Sequence, residues 1–142
     1  MKLVTEKDFE IRFSEIDLMK VVWHGSYPLY FEDAREEFGR EWGLSYQQYM
    51  DLQIFAPIVE LDIKYKRPLI YGAKPTVRIT YVPTDSAKII FNYEIFDKKD
   101  GTTFATARST QVFMTPDGQL LWFSPDFYED WKKKVGLKTE QV

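Results

Sequence analysis

The chain alternates between two hydrophobic rhythms. Between Ile58 and Tyr65 the period is two: Val59, Leu61, Ile63 and Tyr65 interleave with Glu60, Asp62 and Lys64, the signature of a half-buried strand. Between Tyr27 and Trp42 the period is helical. Tyr27, Phe31, Ala34, Phe38 and Trp42 recur on one face, while Glu32, Asp33, Arg35, Glu36, Arg40 and Glu41 mostly take the others. Ser26 is an N-cap candidate, Pro28 suits the first turn, and Gly43 ends the pattern. This predicts a helix of about 15 residues, roughly 22 Å long.

Other elements follow from the same reading. Phe9, Ile11 and Phe13 alternate with Glu10 and Arg12, predicting a short first strand, and Ser14 to Gly25 a loop. Ser45 caps a second short helix through Tyr46, Tyr49 and Met50. Val77, Ile79 and Tyr81 mark a strand closed by Pro83. Ile89 to Phe96 and Thr102 to Met114 are two longer strands joined by the turn Asp97 to Gly101, with a further turn at Pro116-Asp117-Gly118. A last helix begins at Ser124-Pro125-Asp126, with Glu129 spaced to pair with Lys133. Strands joined by tight turns favour an antiparallel sheet, and one long apolar-faced helix needs a sheet to bury it. The expected class is α+β, a single domain over residues 1–142: a curved antiparallel sheet wrapped around one long helix. Ile89-Ile90-Phe91 is apolar at consecutive positions, so a second surface, from another subunit, is expected to cover the outer face.

Composition narrows the function. The 142 residues contain no cysteine and one histidine, His24. Thiolate catalysis, disulfides and thiolate-bound metals are excluded, and the absence of cysteine suits a reducing compartment. Net charge is −3, which argues against a broad nucleic-acid footprint. The N-terminal residues meet charge at once, and no apolar run is long enough to span a bilayer, so a cytoplasmic protein without membrane insertion is expected.

The candidate chemistry is concentrated in one segment. Asp17 precedes His24 by seven residues, and His24-Gly25-Ser26 leads into the long helix. A carboxylate, an imidazole and helix-start N–H groups are the parts needed to attack a carbonyl and hold the oxyanion. Taken alone, the spacing favours Asp17 as a residue that ends a strand or bonds its own loop backbone, and His24 as a structural residue at a helix entry.

Asp17 to Tyr27, continuing through Tyr30-Phe31-Glu32-Asp33-Ala34-Arg35, resembles the hotdog-fold acyl-CoA thioesterases of the 4-hydroxybenzoyl-CoA thioesterase type. Within them it is most similar to the short acyl-CoA thioesterases associated with the Tol–Pal region of bacteria. Val59 to Gly72 resembles their second block. The similarity runs from about Phe9 to Val112. It implies the hotdog fold, a homodimer or homotetramer with interface active sites, and hydrolysis of acyl-CoA without metal or organic cofactor. It implies that Asp17 is the catalytic carboxylate, as base or nucleophile, with His24 beside it. The N–H groups of His24 and Gly25 would polarise the carbonyl. Trp23 and Tyr27 are acyl-pocket candidates, Glu60 a contribution to the partner's site, and Lys64, Lys66 and Arg67 candidates for the CoA phosphates. The chain departs from the family at three places: Lys20, where Gly is frequent; Gly25-Ser26, for Ala-Asn or Ala-Ser; and Gly39, where a larger apolar residue is usual. A hotdog dehydratase acting on 3-hydroxyacyl thioesters and a non-catalytic acyl-thioester-binding subunit are the alternatives.

Overall fold

The computed structural model describes residues 2–137. Five strands, β1 (Val4–Asp8), β2 (Ile58–Tyr65), β3 (Thr76–Val82), β4 (Lys88–Phe96) and β5 (Thr103–Val112), form one antiparallel sheet in the order β1-β3-β4-β5-β2. Three α-helices, α1 (Tyr27–Trp42), α2 (Tyr46–Leu52) and α3 (Asp126–Lys134), accompany the sheet among the described residues. The α+β hotdog arrangement expected from the sequence is the one observed, with α1 lying on the inner face of the sheet.

The helical stripe explains that packing. Tyr27, Tyr30, Phe31, Ala34 and Phe38 are all buried. Phe31 meets Tyr93 at 4.7 Å between ring centroids, and Phe38 meets Phe91 at 4.9 Å. Each such ring contributes about 1.5–3 kcal/mol by leaving water. Gly39 permits a close approach: a Cβ there would lie 3.0 Å from the Ser45 Cα. The Ser45 hydroxyl caps α2 by accepting from the Gln48 N–H at 3.3 Å. The departure at Gly39 is therefore a packing adaptation.

Three local expectations need correction. The first strand is Val4–Asp8, not Phe9 to Phe13. Its ladder runs from Val4↔Thr80 to Asp8↔Thr76 and stops where Pro75 has no N–H to continue it. The Phe9 N–H bonds the Pro75 carbonyl, the Phe9 ring packs on Tyr30, and Phe13–Glu15 forms a single helical turn. Ser26 stands at the N-cap but does not cap with its side chain; its hydroxyl donates to the Glu15 carbonyl at 3.1 Å. Glu129 pairs with Lys132 at 3.1 Å rather than with Lys133, because the Lys132 side chain is buried and its ammonium also reaches the Thr84 carbonyl.

Candidate active site

Glu15 organises the loop that carries the candidate residues. Its Oε1 accepts from the Arg12 N–H at 2.9 Å and the Tyr30 hydroxyl at 2.8 Å, while its carbonyl accepts from the Trp23 N–H at 2.9 Å. Burial, reinforced by the Glu15 carboxylate, pushes the Tyr30 phenol up, so it stays a donor. From Glu15 the chain makes a narrow turn. The Asp17 N–H donates to the Val21 carbonyl at 2.9 Å and the Lys20 N–H to the Asp17 carbonyl at 3.0 Å. Lys20 sits at φ +65°, the left-handed region that favours glycine. That conformation gives a physical reason for Gly at this position elsewhere in the resembled family. The far side is tied down by Val22 N–H to Leu69 carbonyl at 2.8 Å and Tyr71 N–H to Lys20 carbonyl at 3.0 Å.

Asp17 is half-buried on this turn. Its Oδ1 accepts from the Met19 N–H at 2.8 Å, so the loop-bonding role is present. Among the described residues, no hydrogen bond or ion pair engages its second oxygen. One oxygen thus fixes the rotamer while the other is open to water or substrate.

The His24–Ser26 segment makes one 3-10 turn and feeds directly into α1. The N–H groups of His24 and Gly25 are the first of this turn, where a helix leaves donors unsatisfied. Among the described residues, neither meets a protein acceptor. The positive end of the sixteen-residue α1 points the same way. The His24 carbonyl is held by the Tyr65 hydroxyl at 2.7 Å, so the end of β2 fixes this turn. The imidazole is exposed, lies 5.0 Å from the Trp23 ring, and makes no hydrogen bond to Asp17.

Trp23 and Gly25 are sterically coupled. A Cβ at Gly25 would lie 2.3 Å from an indole carbon of Trp23, so Ala at Gly25 requires Trp23 to move. Trp23 is half-exposed beside the turn. Tyr27 is buried, edge-on to Tyr65 at 4.8 Å and to Tyr30 at 6.1 Å, and burial raises its pKa. It lines the site from below rather than opening into it.

The remaining candidates lie apart. Glu60, Asp62 and Lys64 share the face of β2 turned away from α1, in register with Thr110, Arg108 and Thr106. Lys64 is bonded to Asp62 at 3.1 Å. Lys66 and Arg67 follow β2, both donating N–H to the Phe104 carbonyl, with exposed side chains beside Thr102 and Asp100. Hollows of about 630, 550, 470 and 460 Å³ lie on the outer sheet face around Arg78 and Arg108, beside Lys66 and Arg67, beside Glu15 and Tyr30, and between α1, α2 and α3 around Trp131. Among the described residues no group of three or more His, Cys, Asp or Glu gathers as metal ligands. Sequence reasoning missed Glu15, Tyr30 and Tyr65. The signal available for Tyr65 was its place on the α1-facing side of β2; Glu15 carried none beyond its proximity to Asp17.

Residues 11–132 match the thioesterase-like superfamily. The Bacillus subtilis protein YneP, whose acyl-CoA thioesterase name is provisional, is 29% identical over 94 residues, 66% of this chain and 68% of its own length. The solved structure of a DHNA-CoA thioesterase from Staphylococcus aureus superposes with a TM-score of 0.81 at 27% identity, covering 92% of this chain and 90% of that one. A mutant 4-hydroxybenzoyl-CoA thioesterase in complex with 4-hydroxybenzoyl-CoA superposes at 0.78 with 18% identity, over 91% and 98% of the two chains, a likeness of fold alone.

Proposed function

The chain belongs to the thioesterase-like superfamily, and from that premise we propose that it hydrolyses acyl-CoA thioesters to the free acid and coenzyme A. One observation carries the reading. Asp17, with one free carboxylate oxygen, and the unpartnered N–H donors of His24 and Gly25 sit on a single braced loop at the N-terminal end of α1. The thioester carbonyl would accept from those N–H groups, which are fixed before substrate arrives and so cost little reorganisation. Asp17 would take a proton from water as the water oxygen bonds the carbonyl carbon, or attack that carbon itself and form an anhydride that water then cleaves. In either route the C–S bond breaks and the sulfur leaves as thiolate: in the first, the proton that Asp17 took from water passes to the sulfur; in the second, the water that cleaves the anhydride supplies the proton and regenerates the Asp17 carboxylate. The exposed imidazole of His24 is free to orient water or assist the departing sulfur.

Trp23, with Tyr27 beneath it, is the proposed wall of the acyl side. Lys66 and Arg67 are the better candidates for the CoA phosphates, because Lys64 already pairs with Asp62. The unpaired outer side of β2 is the proposed seam of a homodimer, and pairs of dimers would give a tetramer. No helix of the described residues is long and apolar enough to cross a membrane, and the proposed setting is the cytoplasm.

The test is a panel of acyl-CoAs with thiol release followed by a thiol reagent, wild type beside Asp17→Ala. Release by the wild type and its loss in Asp17→Ala, with folding and assembly preserved, is the expected result. Full turnover in Asp17→Ala removes the carboxylate's role. Binding without release on every substrate turns the reading to an acyl-thioester-binding subunit, and loss of water from a 3-hydroxyacyl thioester without thiol release turns it to a dehydratase.

A further inference from the structure

The two N–H donors proposed for the thioester carbonyl belong to successive peptide groups, and each group is bonded through its own oxygen. The His24 N–H shares a peptide with the Trp23 carbonyl, which accepts from the Ser26 N–H at 2.8 Å. The Gly25 N–H shares one with the His24 carbonyl, which accepts from the Tyr65 hydroxyl at 2.7 Å. A trans peptide is planar and sets its C=O and N–H antiparallel, and the His24–Gly25 peptide is trans. Holding its oxygen on Tyr65 therefore aims the Gly25 N–H in the opposite direction.

The two supports differ in kind. The one on Trp23 is local and made by backbone, so any side chain can accompany it. The one on His24 comes from a phenol 41 positions away in the chain. Pro28, four residues after His24, has no N–H for the α-helical bond to that carbonyl, and Tyr65 donates to it instead. The phenol is itself well placed. Tyr65 is in register with Ala105 of β5, and its ring stands edge-on to Tyr27 at 4.8 Å and 89°. Burial raises its pKa, so it stays protonated and remains a donor. A donor on a carbonyl draws electron density along the amide and leaves the N–H at the other end more positive. Linked hydrogen bonds strengthen one another in this way by roughly 10–30% each.

We propose that Tyr65 is a positioning residue for thioester cleavage: through the His24–Gly25 peptide, its hydroxyl aims and polarises the Gly25 N–H toward the oxygen that becomes negative in the transition state. This rests on the thioesterase reading above. It goes further by giving a side chain of β2 a share in the electrostatic part of the reaction. A more positive donor gains most where charge develops, so the effect is small on the neutral carbonyl of bound substrate and larger on the oxyanion. Tyr65 therefore raises the rate of the chemical step and leaves substrate affinity nearly as it is.

The test uses the acyl-CoA that the wild type turns over fastest. Tyr65→Phe keeps the ring against Tyr27 and removes the hydroxyl. Its single-turnover rate of thiol release is expected to fall about tenfold, less than the roughly 10²–10³-fold of losing an oxyanion donor outright. KM should stay within about twofold of wild type. A wild-type rate in this variant overturns the proposal. A hydroxyl that merely braces the turn would also slow Tyr65→Phe, so a second series separates the two roles. Fluorinated tyrosines introduced at position 65 keep the ring's shape and make the phenol a stronger donor. At a pH where every phenol in the series stays protonated, the logarithm of the single-turnover rate is expected to rise with phenol acidity. A flat or falling series overturns the proposal and leaves Tyr65 as a brace. Each of these outcomes leaves the thioesterase reading standing. A wild type that releases no thiol from any acyl-CoA overturns that reading and the role of Tyr65 together.

Discussion

The sheet has two terminal strands, and they are finished in opposite ways. β1 is polar and tied down. Glu6 bonds Arg78, which bonds Glu94 in turn, both at 2.8 Å. Asp8 is held by Thr76 and Lys98, and those partners keep its carboxyl below the usual range. Thr5 bonds Glu41 at 2.7 Å, and the Trp42 indole covers the Val4 carbonyl. Charge and covering are how a chain protects an edge that must stay alone. β2 is left open: seven of its eight residues are exposed, its outer face carries Glu60, Asp62 and Lys64, and its Tyr65 end holds the turn that carries His24. Exposure on this side fits the homodimer seam proposed above, since an open edge invites pairing with another chain. The single chain covers one edge and leaves the other open.

The sharpest test of that contrast is chemical. Asp17→Asn is expected to lower kcat/KM by roughly 10²–10⁴-fold, the range of a lost general base, with the melting temperature unchanged. Arg78→Ala at the β1 side should do the reverse, costing about 1 kcal/mol of stability with turnover within about twofold. Comparable activity losses in the two variants would erase the functional difference between the edges. Mass analysis of the Asn variant guards against deamidation back to Asp.

Between the edges lies the layer both depend on. Phe31 is fully buried against Tyr93, and Phe31→Ala should cost about 3–5 kcal/mol through lost transfer and a residual cavity, read from denaturant unfolding. An effect under about 1 kcal/mol would mean that α1 does not carry the core.

A smaller effect belongs to alkaline pH. Burial pushes the Tyr81 phenol up to about 12, and the Tyr128 phenol, bonded to it at 2.6 Å, is pushed up as well. Both pKa values are raised above the unfolded value near 10, so the folded state binds more protons between pH 10 and 12. Their stabilisation is complete below about pH 10 and is lost as pH climbs through that window. The melting temperature should fall there, and Tyr81→Phe should blunt the fall; an equal fall in that variant would point to other groups.

The strands from Ile58 onward and α1 were legible because their side-chain periods are long and uninterrupted. Val4–Asp8 was not, since its outward positions are charged and its inward set is short; pairing with β3, not propensity, makes it a strand. Within the site, Asp17 and His24 were visible through the resemblance, and His24 through being the only histidine. The roles of Glu15 and Tyr30 were hidden because they come from contacts across 15 positions that no local spacing encodes.

The finest test of the contrast is Lys20. Its backbone holds a left-handed conformation at φ +65°, which costs a residue with a Cβ about 1–2 kcal/mol relative to glycine. Glycine also loses more backbone entropy on folding, by about 0.5–1 kcal/mol. The two effects oppose each other, and the left-handed penalty is the larger. Lys20→Gly should therefore raise stability by up to about 1 kcal/mol, while Lys20→Ala, which removes the charge and keeps the strain, should leave it unchanged. If the turn matters only as a scaffold for Asp17, both variants keep wild-type kcat. A change of rate shared by the two would assign it to the ammonium, and a change confined to Lys20→Gly would assign it to the shape of the turn.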